Sequence, residues 1–309
     1  MRNTPGPATP VSLDSLSRFI FEGAAIRGAR VRLDRTAHAI LSAHAYPGPL
    51  ARILVELAGS AALLAASLKF DGRLSVQLVG EGPVRLIVVE CNLGLALRAM
   101  AQFDDAGVSA LSENATLDAL AGGAAQARLA ITLEPREGGP VYQGIVALQD
   151  RSVAATIEHY LATSEQVASR LVLALHGEQV FGILLQRMPV SGPDDDAAWS
   201  RASLALDSAS AASVVAAADS DTGLATLFAD DELRVFQPTR PHFACTCSRE
   251  RVAGALRIAG RQEIEAALRD DGRVEVTCEF CGSRYTFDPD QARAVFAPAP
   301  AGPGEPTRH

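Results

Sequence analysis

The chain has 309 residues, an apolar fraction of 48% and a formal net charge of −8. These values are ordinary for a soluble globular protein and leave enough length for one large domain or two smaller ones. The acidic balance disfavours a nucleic-acid-binding protein, because such proteins normally carry a surplus of basic residues.

The two ends of the chain do not have the composition of folded structure. Residues 1–15 and 297–309 are rich in Pro and small residues, so we expect both to be disordered. The start contains no apolar segment typical of a secretory signal. The most apolar window, residues 57–68, is too short to span a bilayer and is typical of a buried core helix. The sequence therefore predicts a cytoplasmic protein without a membrane span.

Residues 16–190 have the patterning of an α+β domain. Apolar residues at helical spacing predict helices, and alternating apolar runs around Gly- and Pro-containing turns predict strand hairpins. In chain order the predicted elements are a helix over 49–70, a hairpin over 72–91, strands at 127–135 and 141–149, a helix over 151–166, and strands at 170–177 and 180–189. Because the strands come in consecutive pairs with helices between the pairs, we expect a mostly antiparallel sheet.

Residues 191–240 differ sharply in composition from the domain that precedes them. They begin with Gly-Pro and an acidic run at 194–196 and continue as an Ala/Ser-rich segment. We interpret the acidic run as a solvated face or as charge at a helix N-terminus rather than as a cation site. The segment predicts a helical linker with few large side chains to anchor it, so we expect it to unfold first.

Residues 241–296 hold four of the five cysteines, in the stretches "FACTCSRE" and "VTCEFCGS". Cys245, Cys247, Cys278 and Cys281 are sufficient by themselves for a tetrahedral Zn²⁺ site. Two short helices and two strands flanking the CxxC knuckle predict a small C-terminal zinc-binding α+β module. A module with so small a core needs its metal to fold, since binding contributes roughly 10–16 kcal/mol in zinc-finger peptides.

Three interpretations of this cysteine pattern stay open at this point. By base rate the favoured one is a permanent structural zinc site. A thioredoxin-like oxidoreductase is disfavoured, because its CxxC follows a strand at a helix N-terminus in a larger fold. The third is a switch: each pair is close enough in sequence to close as a disulfide, which would remove all four ligands. The spacing permits this switch without proving it.

The run "FACTCSRERVAGALRIAGRQEIEAALRDDGRVEVTCEFCGSRYTFD" closely resembles the redox-switch domain of the heat-shock protein 33 family, the redox-regulated holdase chaperones. The resemblance extends through the rest of the chain in the order that the family has. It is carried by "HAYPGPLARILVELAGSAALLAASLKFDGRLSVQLVGEGPVRLIVVEC", "YQGIVAL", "IEHYLATSEQ", "GILLQRMP" and "LATLFADDELRVFQP". It implies a core chaperone domain at 16–190, a metastable linker at 191–240 and a zinc-binding redox-switch domain at 241–296.

The resemblance also implies a mechanism and a set of partners. The reduced form binds one Zn²⁺ through the four cysteines and is inactive as a chaperone. Oxidation forms the Cys245–Cys247 and Cys278–Cys281 disulfides and releases the metal. The module and the linker then unfold, and the protein holds unfolding client proteins without ATP, as a homodimer. The family is not enzymatic. The Ala/Ser-rich "LDSASAASVVAAADS" departs from the charged linker that is usual in the family.

Two functions of other classes remain as alternatives. A zinc-ribbon nucleic-acid or regulatory binder is disfavoured by the net charge of −8. A salt-sensitive gel shift by the reduced protein would favour it. A thiol–disulfide oxidoreductase would instead show catalytic turnover of a dithiol substrate.

Several further residues were candidates for chemistry. Arg249, Arg251 and Arg284 lie near the cysteines in sequence and would favour anionic sulfur, although ordinary surface charges are at least as common. A second group is interpreted as structural or solvated rather than catalytic or metal-binding. It comprises Cys91, His159, Glu165, Gln166 and His242.

Overall fold

The structure is a computed structural model, and it describes residues 13–68, 71–92, 94–148, 152–189 and 193–296. The chain divides after Ala244 into two compact units. We call the second the cysteine module, residues 245–296. The disorder predicted for the two ends falls mostly on residues 1–12 and 297–309, which lie outside the described residues. The sequence-based boundary between 16–190 and 191–240 stays a prediction.

The first unit alternates strands and helices along the chain. Its elements are β1 (Ser15–Phe21), β2 (Ile26–Leu33), α1 (Arg35–Leu41), α2 (Gly48–Ser67), β3 (Gly72–Val79), β4 (Val84–Asn92), β5 (Ala96–Phe103), α3 (Asp105–Ser109), α4 (Leu117–Leu120), β6 (Arg128–Pro135), β7 (Tyr142–Ala147), α5 (Val153–Thr163), β8 (Ser169–His176), β9 (Gln179–Arg187), α6 (Pro193–Asp207), α7 (Ala211–Asp219), α8 (Asp221–Leu227), β10 (Leu233–Val235) and β11 (His242–Phe243).

These strands form two sheets rather than the one that the sequence predicts. Sheet A has the order β10-β1-β2-β9-β8, and sheet B has the order β11-β5-β4-β3-β6-β7. The described pairings are antiparallel except for β11, which pairs with β5 in parallel. The predicted α+β class with mostly antiparallel pairing is therefore confirmed.

Helix α2 lies at the centre of the larger core and packs against strands of both sheets. Pro49 lies in its first turn, where a missing N–H costs nothing, and apolar residues such as Leu50, Leu54 and Leu57 are buried. By length and composition α2 could cross a membrane, but 67% of its apolar window is buried inside the protein. It is thus the core helix that the sequence predicted, although longer than the apolar window at 57–68.

Helices α6–α8, which we call the linker helices, cover the face of sheet A that points away from α2. Their buried side chains in this core are Ala, Val and Leu, apart from Phe228 just after α8, and the partly buried Trp199 also packs against it. The buried apolar side chains of the sheet are Phe19, Phe21, Ile26, Ala174, Phe181, Ile183 and Leu185. A side chain at Gly28 would overlap the ring of Phe19, so this glycine lets the ring lie flat across β2. The linker is helical, as predicted.

Arginines of sheet A also hold the linker helices through ion pairs with aspartates. The pairs are Arg187–Asp196, Arg170–Asp207, Arg32–Asp219 and Arg30–Asp221. In addition, Ala25 N–H donates to Asp195 Oδ1 at 2.7 Å. The acidic run at 194–196 lies in the first turn of α6, as a helix N-terminus favours, but two of its carboxylates bind the sheet domain rather than face only solvent.

The cysteine module has its own small core. It consists of α9 (Arg249–Ala259), α10 (Arg261–Asp271), β12 (Val274–Thr277), β13 (Arg284–Phe287) and α11 (Pro289–Ala294). Gly272, with φ 69°, ends α10 in the left-handed conformation that leads into β12. The core contains few large side chains, among them Leu256, Ile264 and Phe287. The predicted helices on either side of Ala259–Gly260 and the predicted strands are both present.

Candidate metal centre

Two turns position the four cysteines at one end of the module. Cys245 and Cys247 precede α9, whose first turn is capped by the Ser248 side chain accepting from Arg251 N–H. Cys278 follows β12 and Cys281 lies in the turn before β13. That turn is closed by Gly282 N–H donating to Cys278 O at 2.8 Å, with Gly282 at φ 70°. The hairpin therefore brings the CxxC pair to the CxC pair.

The four sulfur atoms form a compact cluster. Each Sγ lies within 4.8 Å of the others. Cys245 and Cys278 are 3.7 Å apart, and Cys247 and Cys281 are 3.4 Å apart. Zinc–sulfur bonds of about 2.3 Å in a tetrahedron would place sulfurs about 3.8 Å apart. The cluster can therefore hold a metal ion, and its size and donor set suit Zn²⁺. Among the described residues it is the one group of three or more candidate ligands that meets this distance criterion.

The sulfurs differ in their surroundings. Burial raises the pKa of the Cys245 thiol to about 12, against a smaller lowering by the Cys247 backbone N–H. Burial also raises the pKa of Cys278. Burial acts on Cys281 in the same direction, but hydrogen bonds from the hydroxyl and backbone N–H of Ser283 and from neighbouring thiols outweigh it and lower the pKa to about 7. Cys281 therefore loses its proton more easily than Cys245 or Cys278.

Two hydroxyl groups contact the cluster, and sequence reasoning missed both. Tyr285 OH donates to Cys247 Sγ at 3.0 Å, and Ser283 Oγ lies 3.2 Å from Cys281 Sγ. The bond to Cys247 raises the pKa of Tyr285 to about 12, so the phenol keeps its proton at neutral pH. Both residues follow the CxxC turn directly, where β13 folds back along β12. This position in the sequence is the signal that could have indicated their contact with the cysteines.

The three arginines near the cysteines bind other groups. Arg249 donates to Thr286 O at 3.0 Å and its guanidinium lies 4.2 Å from the centre of the Phe287 ring. Arg251 donates to Thr246 Oγ1 at 2.5 Å, and Arg284 pairs with Glu275 at 3.8 Å. These contacts favour the structural interpretation of the three side chains.

The other candidate residues lie outside the cysteine cluster. Cys91 is 1% exposed, and burial raises its pKa to about 12, which makes it an unreactive thiol. His242 belongs to β11, and His159 lies within α5. Glu165 accepts a hydrogen bond from Tyr160 OH at 2.7 Å, and Gln166, with φ 57°, follows the end of α5. These positions agree with their structural interpretation.

The fold and the site define an α+β protein whose carboxyl-terminal module carries a four-cysteine candidate metal centre. A family model described as Hsp33 protein matches residues 14–288. The chain belongs to the Hsp33 protein family. This confirms the resemblance found in the sequence.

Named relatives agree with this membership. The chain is 39% identical to the 33 kDa chaperonin of Shewanella woodyi over 287 residues, or 93% of this chain and 97% of that protein. It is 39% identical to the 33 kDa chaperonin of Chromobacterium violaceum over 284 residues, or 92% and 94% of the two chains. The names support a chaperone rather than an enzyme.

A solved structure shares the fold. The crystal structure of the 33 kDa chaperonin (heat shock protein 33 homolog) from Thermotoga maritima has a TM-score of 0.75 to this chain at 19% sequence identity. The match covers 91% of this chain and 97% of that one. The arrangement of elements described above is therefore the fold of that protein.

Proposed function

We propose that the protein is a cytoplasmic, redox-regulated, ATP-independent holdase chaperone. In its reduced, inactive form one Zn²⁺ is bound by Cys245, Cys247, Cys278 and Cys281. Oxidation forms the Cys245–Cys247 and Cys278–Cys281 disulfides, and the oxidised protein holds unfolding clients as a homodimer. The observation that carries this proposal is the cluster of four sulfurs within 4.8 Å of one another, in a chain of this family.

The cluster links segments that are distant in sequence. The CxC pair precedes α9, whereas the CxxC pair lies in the β12–β13 turn. Zn²⁺, when bound, keeps the thiols deprotonated and ties these two segments together. With a core as small as that of the module, the folded state depends on this link.

Oxidation within each pair removes the link. A thiolate attacks a hydroperoxide, so that a sulfur–oxygen bond forms, the oxygen–oxygen bond breaks and hydroxide leaves. The second thiolate of the pair then attacks the sulfenic sulfur, and another hydroxide leaves as the disulfide forms. Each pair consumes one hydroperoxide and gives up two electrons. The resulting disulfides span residues of the same turn, so neither joins the CxC segment to the hairpin.

The linker is connected to the module without intervening free chain. Phe236 N–H donates to Arg18 O at 2.9 Å, and β10 pairs with β1. Further along, β11 pairs with β5, and Ala244 N–H donates to Leu97 O at 2.9 Å. Because Cys245 is the next residue, unfolding of the module leaves the end of this segment held by these few backbone bonds alone.

Departure of the linker helices would uncover the apolar face of sheet A. That face carries three phenylalanines, three large aliphatic side chains and Ala174, whereas half of the buried linker residues in the same core are Ala. A contiguous apolar surface of this kind is what a holdase requires for binding unfolded chains. The client-binding surface of this protein is therefore the sheet more than the Ala/Ser-rich linker.

The test treats zinc-loaded, full-length protein with hydrogen peroxide at elevated temperature. Zinc release, free-thiol count and suppression of aggregation of a denatured client are followed in the same samples. We expect four thiols to be lost per chain, with zinc release and client protection appearing together. Equal client protection by reduced and oxidised protein would contradict the switch, and absence of client protection in both states would contradict the chaperone function.

A further inference from the structure

Tyr285 is held in place by the core of the cysteine module. Its ring packs against that core, and its backbone pairs with Val276 across the β12–β13 hairpin. The hydroxyl is thereby aimed at Cys247 Sγ, to which it donates at 3.0 Å. Cys245, the other member of the pair, has partners of a different kind: the Cys278 sulfur at 3.7 Å and the Cys247 backbone N–H.

We propose that Tyr285 is a positioning residue that slows oxidation of the CxC pair by slowing attack from Cys247. The inference rests on the proposed function, because it concerns the rate and order of the same disulfide formation. The hydroxyl does not touch the oxidant. It acts through the Cys247 sulfur by stabilising negative charge on it.

The chemical reason is the loss of charge during the reaction. A thiolate that attacks a hydroperoxide gives an electron pair to the new sulfur–oxygen bond, so a hydrogen bond to that thiolate weakens on the way to the transition state. The Tyr285 bond therefore raises the barrier for attack by Cys247. Removal of the hydroxyl therefore shifts the first oxidation within the pair toward Cys247.

The same hydrogen bond acts on the second step. Cys247 must give an electron pair to the Cys245 sulfenic sulfur when the disulfide forms and hydroxide leaves. When Cys245 is oxidised first, Tyr285 slows this attack as well. The Tyr285 hydroxyl thus sets the oxidant concentration at which the CxC pair forms its disulfide at a given rate.

The experiment compares zinc-loaded wild type with Tyr285→Phe, which keeps the ring that packs in the core and removes only the hydroxyl. Tyr142→Phe is the matched control, because Tyr142 OH donates to Ser164 O at 3.5 Å in the other unit. Three quantities are measured: zinc release by hydrogen peroxide, zinc release by a chelator without oxidant, and the position of sulfenic acid trapped by dimedone and located by mass spectrometry.

We expect Tyr285→Phe to release zinc about threefold to tenfold faster with peroxide, as loss of part of a hydrogen bond to a charged group predicts. The rate of zinc release by the chelator should rise by less than half of the factor found with peroxide. The share of dimedone label on Cys247, relative to Cys245, should be higher in the variant than in wild type. Tyr142→Phe should behave as wild type.

Three results would overturn the inference while leaving the proposed function intact. They are an unchanged peroxide rate, equal acceleration by peroxide and by chelator, and failure of Tyr285→Phe to load zinc. The last two would mean that the hydroxyl holds the metal site together rather than setting its reactivity. Wild type that keeps its zinc under peroxide would instead contradict the proposed function, and this inference with it.

Discussion

Phe228 packs edge-on against Phe21, with ring centroids 5.2 Å apart and planes inclined at 70°. It also lies 6.3 Å from the ring of Phe19, and it is 2% exposed. Phe228 is thus the buried aromatic side chain through which the linker reaches the aromatic core of sheet A, while the other buried linker residues of this core are Ala, Val and Leu. Attachment of the linker depends strongly on this residue.

Phe228→Ala should release the linker without oxidation. Truncation of a buried Phe costs about 3–5 kcal/mol of stability. The other buried side chains of the linker helices do not compensate for this loss. We expect client protection by the reduced, zinc-loaded variant, measured by light scattering of a denatured client. The matched control is Phe236→Ala, since Phe236 is 41% exposed. If the reduced Phe228→Ala protein protects no client while hydrogen exchange shows the linker open, the uncovered sheet is not the client-binding surface.

Asp221→Asn should loosen the linker to a smaller extent. Asp221 pairs with Arg30, whose side chain is 9% exposed and also donates to Ala217 O at 3.2 Å. Loss of the carboxylate leaves a largely buried cation without its counter-charge, at a cost of about 1–3 kcal/mol. Faster amide hydrogen exchange in α7 and α8 is the expected result. Glu134→Gln, which removes an exposed ion pair with Arg73 on sheet B, should leave that exchange unchanged.

Cys278→Ser should abolish high-affinity zinc binding and unfold the cysteine module in the reduced state. Three thiolates and a hydroxyl are a poorer donor set for zinc than four thiolates. The core of the module is too small to keep it folded without the metal. Metal content and circular dichroism measure the two effects. Cys91→Ser is the control, because this buried thiol lies in β4, outside the cluster. Full zinc content in Cys278→Ser would contradict the ligand assignment.

Glu56 in α2 predicts a pH dependence of stability. Burial raises its pKa above 4.5, against the opposing effect of Arg52. A raised folded-state pKa means that the folded protein holds this proton more tightly, so the contribution to stability is complete below pH 4.5 and is lost as the pH rises through the folded-state pKa. Wild type should therefore lose more unfolding free energy than Glu56→Gln between pH 4.5 and pH 7 in urea titrations. An equal loss of unfolding free energy in wild type and Glu56→Gln would contradict this prediction. So would an equally large difference between wild type and Glu113→Gln, a control at an exposed position.

Local patterns predicted the elements that carry strong periodicity. The helix over 49–70 is α2, and the hairpin over 72–91 is β3 and β4. Each has long apolar runs bounded by Gly or Pro, so the sequence alone specifies it. The four cysteines could also be grouped from their spacing, because a CxC and a CxxC together supply the four ligands of a metal site, and their sulfurs do form one cluster.

The elements that the sequence missed depend on distant partners. Strand β2 alternates Arg30 and Arg32 with Ala29 and Val31, and it becomes a strand because β9 pairs with it and the linker covers its charged face. Strands β10 and β11 have three and two residues, too few to show a period. The division into two sheets has the same origin, since it depends on the pairing of β2 with β9, which are far apart in sequence.

The parallel pairing of β11 with β5 has a mechanical consequence. Only His242 and Phe243 belong to this strand, and the next residue, Ala244, is bonded to Leu97 O. Tension that arrives from Cys245 is therefore borne first by very few backbone bonds at a sheet edge. These bonds can open one after another from the carboxyl-terminal side, then the bridge between Thr239 and Leu16, then β10. Detachment of this segment therefore requires only a few backbone bonds to break at a time.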